Sequence, residues 1–524
     1  MKIIIENIEL PPGEPEQRIA SLIRDRLGLD KEPQWSIERR SLDARDKGRI
    51  VYRYRVVAEL PEHSGRAALS LPGVRLSERR ESGPFPRAPE GLSVIVVGAG
   101  PAGLFCALRL VGAGARVLVL ERGRPVEERM RDIHALKEGG SLNPESNVLF
   151  GEGGAGTYSD GKLTTRIHRP EVEWFFQTMV DCGAPPAILY EARPHIGTDR
   201  LVPLLGNIRR RIEDAGSIIR FGERVTGFIR EGGRATGVIT ATGGEHRASA
   251  IVLATGHSAR DVYDMLMSEK VALEKKGFAL GVRIEHPAGL IDRIQYGGAA
   301  GKWRLPAADY RLTFNNRQSG RGVYSFCMCP GGEVVNASSE EGMLCINGMS
   351  YSGRDGKHSN AALVVTVSPD DLGPSPLAGI ELQREIERKA FEAGGGGWKA
   401  PAERVRSFLD GRPDTGAPVT SYLPGVRPAR VRDYLPGWMA DELALALKSF
   451  DRKMKGFIGD EGVLIGAETR SSSPVRVVRG ADLQSASLPS LYPVGEGAGH
   501  AGGIVSSAVD GIRAADAICA AAGH

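Results

Sequence analysis

Apolar and polar residues alternate along much of the first sixty positions. The stretches KIIIENIEL (2–10) and GRIVYRYRVVAEL (48–60) predict half-buried strands. Between them, EPEQRIASLIRDRLGL (14–29) has apolar residues at helical spacing. We therefore predict an N-terminal α+β module over residues 1–76. The polar segment that follows, 77–92, is rich in proline and glycine and predicts a linker.

The next apolar run ends in a glycine-rich turn. The strand predicted at 94–97 leads directly into GAGPAG (98–103), and a helix is predicted from there to about residue 111. Within this turn Gly98 permits the tight bend, and Gly100 lets the backbone approach a pyrophosphate. Gly103 lets the helix pack close to the strand. The segment therefore fits the dinucleotide-binding fingerprint, and Pro101 and Ala102 are expected to contact the cofactor with the glycines.

A second strand, RVLVL at 116–120, ends at Glu121 and Arg122. Glu121 stands about 20 residues after the glycine turn, where a carboxylate accepts hydrogen bonds from adenosine ribose hydroxyls. Because strand, turn, helix, second strand and acid all occur in order, we predict a bound dinucleotide at this site.

GAGPAGL followed by LERG resembles the N-terminal segment of FAD-binding proteins of the glutathione-reductase type. Three later segments are similar to further parts of that fold: 217–244, IVLATGHSAR at 251–260, and LYPVGEGAGHAGGIVSSAVDGIRAADAI at 491–518. The resemblance implies FAD as cofactor. It implies cofactor contacts by Val225, Thr255, Gly256, Gly495, Glu496, Gly502, Gly503 and Ile504.

The order of these segments predicts an α/β fold with a discontinuous Rossmann-type FAD-binding domain. Its two parts are expected at 93–260 and 456–524, and a substrate domain of β-sheet and helices is expected between them, at 261–455. No second glycine fingerprint follows the first, so a nicotinamide, NADH or NADPH, would dock transiently in the substrate cleft.

Three more stretches, 147–166, 323–365 and 466–479, resemble a family of bacterial and plastid FAD-dependent oxidoreductases that are labelled FAD-dependent dehydrogenases. This resemblance covers most of the chain and implies the fold and the cofactor, but no particular reaction. The first stretch contains FGEGGAGTYSDGKL, a glycine loop expected to cover the pyrophosphate and one flavin face. Its expected cofactor contacts are Gly153, Gly154, Thr157 and Ser159.

Candidate substrate-binding and catalytic residues lie in the second half of the chain. Arg470 and Arg476 flank three serines, and two arginines beside a cleft suit a carboxylate or phosphate. His500, in the closing motif, and His358, before an apolar strand, are candidate acids or bases. A structural salt bridge is the alternative for these two arginines, and we give the two interpretations equal weight.

The stretch SFCMCPGG contains Cys327 and Cys329, one residue apart. They could form a redox pair that exchanges electrons with FAD, although a Cys-x-Cys disulfide closes a strained ring. They could bind zinc with Cys345 and His358, although the knuckle spacing of zinc sites is missing. The interpretation we favour is packing where a strand turns close to flavin or substrate, and a single reactive cysteine lies between these alternatives.

Composition excludes some classes of function and location. A net charge of +4 over 524 residues gives no support for nucleic-acid binding, no apolar run reaches the length of a membrane span, and no metal is expected. Six cysteines without framework spacing indicate a cytoplasmic location. We predict an FAD-dependent oxidoreductase that transfers a hydride at flavin N5 to or from a small, anionic organic substrate, with a separate electron-transfer partner. The alternatives are an NAD(P)H-dependent flavin monooxygenase and a non-catalytic FAD-binding protein.

Overall fold

The computed structural model describes residues 1–77, 85–303 and 305–523, and it begins with an antiparallel sheet backed by a helix. The elements are β1 (Lys2–Leu10), α1 (Arg18–Leu27), β2 (Gln34–Asp43), β3 (Val51–Glu59), α2 (Glu62–Ala68) and β4 (Val74–Leu76). The strand order is β2-β3-β1-β4. Ile3 and Ile5 of β1 pack in one core with Ile19 and Ile23 of α1, because alternation in the strand and helical spacing in α1 bring both apolar faces together. The predicted α+β module is confirmed. Part of the predicted linker, residues 78–84, lies outside the described residues.

A five-stranded parallel sheet forms the next layer. The elements from its first strand to the helix before the inserted sheet are β5 (Ser93–Val97), α3 (Pro101–Ala113), β6 (Arg116–Glu121), α4 (Val126–Lys137), α5 (Pro170–Asp181), α6 (Thr198–Asp214), β7 (Ile218–Phe221), β8 (Val225–Glu231), β9 (Arg234–Thr240), β10 (Glu245–Arg247), β11 (Ala250–Leu253) and α7 (Arg260–Ser268). β5 and β11 are almost continuously apolar because the strands of a parallel sheet are covered on both faces. β8, β9 and β10 form a separate antiparallel sheet.

A second sheet, of seven strands, is inserted after α7. Its region comprises β12 (Leu273–Lys275), β13 (Phe278–Pro287), α8 (Ala288–Tyr296), β14 (Thr313–Asn315), β15 (Gly322–Cys329), β16 (Glu333–Asn336), β17 (Ile346–Met349), β18 (His358–Val367), α9 (Ala378–Ala393), β19 (Ala400–Arg404), α10 (Val405–Asp410), β20 (Val426–Pro428), α11 (Val431–Tyr434), α12 (Gly437–Lys453) and β21 (Val463–Glu468). The strand order is β14-β15-β18-β13-β21-β19-β20. Leu443, Leu447 and Phe450 of α12 are fully buried in the same core as β13.

The chain then returns to the parallel sheet. The last elements are β22 (Val475–Val477), β23 (Leu491–Pro493) and α13 (Ile504–Ala522). β23 pairs in parallel with β11 and completes the strand order β23-β11-β5-β6-β7, so this domain is discontinuous, as predicted. β21 pairs with β13 and β19 and therefore belongs to the inserted sheet, although it follows the boundary predicted at residue 455. That division of the chain stays a prediction.

No helix among the described residues has both the length and the apolar character needed to cross a membrane.

We predict that the contact between α3 and α13 tolerates no side chain at Gly511. A Cβ there would overlap the carbonyl oxygen of Ala102 and stand 3.2 Å from its Cα. Gly511→Ala should therefore lower the free energy of unfolding by about 1–3 kcal/mol, measured by guanidinium unfolding of the purified protein. Gly112→Ala is the matched control, because a Cβ at that position of α3 meets open space. Equal effects of the two substitutions would contradict the close helix contact.

Candidate functional site

One cavity lies where the carboxyl ends of the parallel strands face the inserted region. Val97, Leu120, Ala254 and Val494, at or just after the ends of β5, β6, β11 and β23, line one side. Phe326 and Cys327 of β15 and Asn347 of β17 line the other. In open parallel sheets ligands bind at this edge of the strands. The predicted site residues that line the cavity are Gly98, Gly100, Pro101, Ala102, Glu121, Arg122, Gly154, Ser159, Val225, Thr255, Gly256, Cys327, Arg470, Gly495, Glu496, Gly502, Gly503 and Ile504.

The glycine turn between β5 and α3 brings bare backbone to this cavity. Gly98 has φ +102, and a Cβ there would approach the carbonyl oxygen of Ala254 to 2.6 Å. Gly103 lies in the first turn of α3, where a Cβ would overlap the carbonyl oxygen of Gly98, and it is outside the cavity lining. Gly100 lines the cavity, and a Cβ there would meet open space. A ligand group can therefore approach the backbone at Gly100.

Two helices begin at the cavity wall. α3 starts at Pro101, with Gly100 as its N-cap, and α13 starts at Ile504, with Gly503 as its N-cap. Gly502 and Gly503 line the cavity, and Cβ atoms on them would meet open space. The first-turn amides of a helix have no acceptor within it, and its N-terminus carries a partial positive charge. The cavity therefore offers amide donors and positive dipole ends at two places, which suits a ligand with two electron-rich regions.

Glu121, the last residue of β6, holds the glycine turn in place through hydrogen bonds. Its Oε2 accepts a hydrogen bond from the Ala99 amide at 2.7 Å, and its Oε1 accepts from the amides of Gly123 at 2.9 Å and Gly151 at 3.1 Å. The side chain is buried but lines the cavity. Since a carboxylate oxygen can accept more than one hydrogen bond, Glu121 both orders the turn and can accept a ligand hydroxyl.

The end of the cavity next to Glu121 is built from paired charges and an aromatic ring. Arg122 donates to Glu145 at 2.7 Å and to both carboxylate oxygens of Asp261, at 2.8 and 3.1 Å. Its guanidinium carbon lies 4.4 Å from the ring centroid of Phe150. Val225 lines the same end. This end is therefore a rigid, flat-walled slot that suits a planar base.

Comparisons with known proteins agree with this geometry. Residues 186–323 match the model of the family described as FAD dependent oxidoreductase, and residues 93–130 match the FAD binding domain. Residues 277–471 match the C-terminal domain-like model of FAD-dependent proteins, and residues 1–59 match a domain of unknown function. An uncharacterized protein of Clostridium beijerinckii is 43% identical over 526 residues, which cover 99% of this chain and 98% of that protein.

The chain belongs to the FAD-dependent oxidoreductase family. Its cofactor is FAD. Among solved structures, it is similar to a triple mutant of the flavin-dependent brominase Bmp2, at 12% identity over 82% of this chain and 80% of that chain, with a TM-score of 0.38. It is also similar to CtdE in complex with FAD, at 13% identity over 81% of this chain and 82% of that chain, with a TM-score of 0.33.

The glycine loop of residues 147–159 is held in place by a buried arginine that the sequence did not single out. Arg129 of α4 donates to the carbonyl oxygens of Asn147, Val148, Glu152 and Gly154 at 2.7–3.0 Å. Burial lowers its pKa to about 10, so it remains charged at neutral pH. Arg129 therefore shapes the loop so that Gly154 reaches the FAD cavity.

Two predicted loop contacts face away from that cavity. Thr157 donates to the carbonyl oxygen of Glu152 at 3.3 Å, and both Gly153 and Thr157 line a neighbouring apolar space beside Leu205 of α6. A Cβ on Gly153 would overlap Thr157 and Leu205. Gly153 and Thr157 thus pack the loop onto α6 and do not reach the space for FAD directly.

The two predicted substrate arginines already have carboxylate partners. Arg470 lines the cavity, but it donates to Glu387 at 2.9 and 3.0 Å and to the Ser339 hydroxyl at 2.6 Å. The fully buried Glu387 also accepts from Arg260, and these two guanidinium groups hold its pKa well below its ordinary value against the effect of burial. Arg476 pairs with Glu274 at 2.9 Å and lies outside the cavity lining.

The two cysteines of SFCMCPGG have different surroundings. Cys327 lines the cavity with an exposed side chain, and the surrounding protein, with neighbouring Cys329 adding to its effect, raises the pKa of its thiol. Cys329 is buried outside the lining, with its Sγ 3.5 Å from Nη2 of Arg283. Cys345, the third ligand of the zinc alternative, instead contacts Thr469. Among the described residues, no group of three or more histidine, cysteine, aspartate or glutamate side chains is arranged to hold a metal.

The histidines predicted as acids or bases lie outside the cavity lining. Nε2 of His500 bonds to the carbonyl oxygen of Val477 at 3.0 Å, and His358 begins β18. His257 lines the cavity instead. Burial and the nearby Arg470 lower the pKa of His257 to about 3, so it is neutral. The sequence showed only that His257 follows the ATG element, which was too weak a signal to select it.

The cavity residues outside the predicted set include Asp160, Lys162 and Asn347. Asp160 and Lys162 belong to the same SDGK stretch as Ser159, so the glycine loop was the signal that could have identified them. Asn347 lies in the short strand β17, and the sequence around it has no distinguishing pattern.

We predict that Gly100→Val abolishes FAD binding without unfolding the protein. A valine side chain would project into open space at the cavity wall, where we expect FAD to approach the backbone. FAD affinity should fall by about 100-fold or more, measured by titrating the FAD-free variant with FAD, while the unfolding midpoint of the FAD-free protein stays near that of wild type. Normal flavin content in Gly100→Val would contradict this position for the cofactor.

We predict that Glu496 makes the FAD-free protein less stable as the pH rises. Burial raises the pKa of Glu496 from 4.5 to about 7, and Lys276 offsets only part of this effect. Because the folded state binds this proton more tightly than the unfolded state, its contribution is complete below pH 4.5 and is lost as the pH rises towards 7. Glu496→Gln should therefore flatten the fall in unfolding free energy over this range, by up to about 3 kcal/mol, in urea titrations at successive pH values. An unchanged pH profile would contradict a protonated Glu496.

Proposed function

We propose that this protein transfers a hydride between N5 of its FAD and a small organic anion, acting as a dehydrogenase or a reductase. The observation that carries this proposal is the shared cavity. FAD-fold segments line one side, whereas Phe326 and Cys327 of the inserted sheet, with Asn347, line the other. A substrate enclosed between that sheet and the cofactor would meet the flavin ring with water excluded.

The cofactor contacts follow from the cavity wall. The glycine turn at Gly100, with Gly154 and the segment Thr255–Gly256, would face the pyrophosphate beside the N-terminus of α3. Glu121 would accept adenosine ribose hydroxyls, and the slot of Arg122, Phe150 and Val225 would hold the adenine. With the adenine in this slot, the flavin end of FAD would lie at the opposite end of the same cavity.

The flavin ring would lie beside the N-terminus of α13. FAD, when bound, accepts or gives up a hydride at N5 of this ring. The α13 amides at Gly503 and Ile504 would stabilise negative charge on the reduced ring. Ser159 and Glu496 line the cavity on either side and would bond to ring or ribityl oxygens.

On the substrate side, Cys327 would act as a neutral thiol. Its raised pKa disfavours the thiolate that nucleophilic attack or disulfide exchange requires. Cys329 and His358 would act only through other residues, because neither lines the cavity. Cys327 would therefore shape the substrate pocket and donate at most a weak hydrogen bond.

If the protein acts as a dehydrogenase, we predict that the flavin receives its electrons from an organic anion and is reduced slowly by nicotinamides, whereas rapid reduction by a nicotinamide would favour the reductase. The sequence contains one dinucleotide fingerprint, and FAD would occupy it. Anaerobic mixing with NADPH or NADH should leave the visible flavin band intact over seconds, while dithionite bleaches it fully. A panel of hydroxy and amino carboxylates should include compounds that bleach it, with free FAD as the control.

Rapid bleaching by NADPH, followed by NADPH consumption and product formation in air, would favour the monooxygenase instead. Failure of every donor except dithionite would favour a non-catalytic FAD-binding protein.

A further inference from the structure

The substrate side of the cavity carries a lysine whose charge is not neutralised locally. Lys162 lines the cavity, and its ammonium lies 3.6 Å from Oδ2 of Asp160. That carboxylate is already engaged, since Arg354 donates to its Oδ1 at 2.9 Å and also bonds to its Oδ2. One negative and two positive groups leave this trio with a net charge of +1.

The neighbouring titratable groups do not cancel this charge. Although burial opposes ionisation, Lys162 and Arg354 keep the pKa of Asp160 below its ordinary value, so Asp160 is already counted as negative. The backbone of His195 bridges to that of Lys162. Burial and the positive charge of Arg354 lower the pKa of His195 to about 4, so it is neutral.

The backbone at this end of the cavity is held in conformations that non-glycine residues rarely adopt. Cys327 has φ +43 and Arg354 has φ +49. Buried Arg283 donates to the carbonyl oxygen of Cys327 at 2.7 Å, and the Arg354 carbonyl packs against Gly331, where a Cβ would overlap it. Such conformations persist where surrounding structure enforces them, and they cluster at ligand-binding sites.

Lys162 is partly exposed, and its carboxylate neighbour Asp160 is beyond hydrogen-bond distance. If FAD shields this site from water, an ammonium without a hydrogen-bonded partner favours an anion, because burying such a charge is costly. We propose that the Lys162 ammonium binds the carboxylate of the substrate, with Asp160 and Arg354 as the pair that positions it. This inference rests on the proposed function and identifies the substrate class as carboxylates. It replaces Arg470 and Arg476 as the anion contact, because their guanidinium groups already donate hydrogen bonds to carboxylates within the protein.

The test measures binding to the oxidised FAD-loaded protein and needs no turnover. Benzoate and propionate, with benzamide and propionamide as neutral isosteres, are titrated while the visible flavin spectrum is followed. In wild type, a carboxylate should bind at least about tenfold more tightly than its amide, the effect of a charge-assisted hydrogen bond. Lys162→Met should remove that preference, and Lys162→Arg should keep most of it.

Two further variants sharpen the result. Lys389→Met removes one positive charge from a solvent-exposed ion pair on α9 and should leave carboxylate binding unchanged. Lys162→Glu should reverse the preference, so that benzylamine binds more tightly than benzoate. Flavin content and the unfolding midpoint of each variant establish that it is folded and loaded.

Three outcomes would overturn the proposal. The first is that no carboxylate perturbs the wild-type flavin spectrum, or that carboxylates and amides bind equally. The second is a Lys162→Met protein that keeps its carboxylate preference. The third is a Lys162→Met protein that loses FAD affinity or shifts its flavin reduction potential while keeping that preference, which would assign Lys162 to the cofactor. Each outcome is separate from the proposed oxidoreductase reaction, which is tested by flavin reduction.

Discussion

The close contact of α3 with α13 determines the geometry of the cofactor half of the molecule. The two helices touch through Gly511 and the backbone of Ala102, at a separation that leaves no room for a side chain. Because α3 also packs down on Gly98 through Gly103, both helix N-termini are held at the same cavity. Two positive dipole ends at one cavity would be unfavourable alone, and an anionic cofactor bound there would relieve this.

Buried charges shape the substrate half in a similar way. Arg283 pairs with Glu468 beneath the Cys327 segment, and Arg260 and Arg470 share Glu387. Burying ions costs free energy that only well-placed partners offset, so these clusters fix the backbone around them. Arginines that already donate to these carboxylates are less able to bind a ligand. Lys162 differs because its ammonium lies 3.6 Å from Asp160, beyond hydrogen-bond distance, while Arg354 donates to that carboxylate.

Much of the fold follows from local patterns in the sequence. The order of glycine turn, second strand, ATG element and closing motif is enough to predict a discontinuous FAD domain, since each motif meets a backbone requirement that few residues satisfy. Most of the predicted cofactor contacts accordingly line one cavity. Gly153 and Thr157 lie in the right loop, but local sequence does not reveal which side of a loop faces α6.

The substrate side was much less predictable because its chemistry depends on contacts between distant residues. Glu387 lies 83 positions before Arg470, and nothing near Arg470 in the sequence indicates that Arg470 already donates to a carboxylate. His500 is similar: its motif is correct, but its imidazole bonds to the backbone of Val477. Lys162 was visible only as part of a glycine loop, and its role emerges once Arg354, 194 positions from Asp160, takes that carboxylate.

The measurement that tests the account most directly is calorimetric titration of the FAD-free protein with FAD and, separately, with FMN. If the Arg122 slot holds the adenine and the α13 end holds the flavin, one FAD should bind per chain, at least about 100-fold more tightly than FMN. Equal affinity for the two cofactors, or a stoichiometry other than one FAD per chain, would contradict a single cavity that holds both ends of FAD.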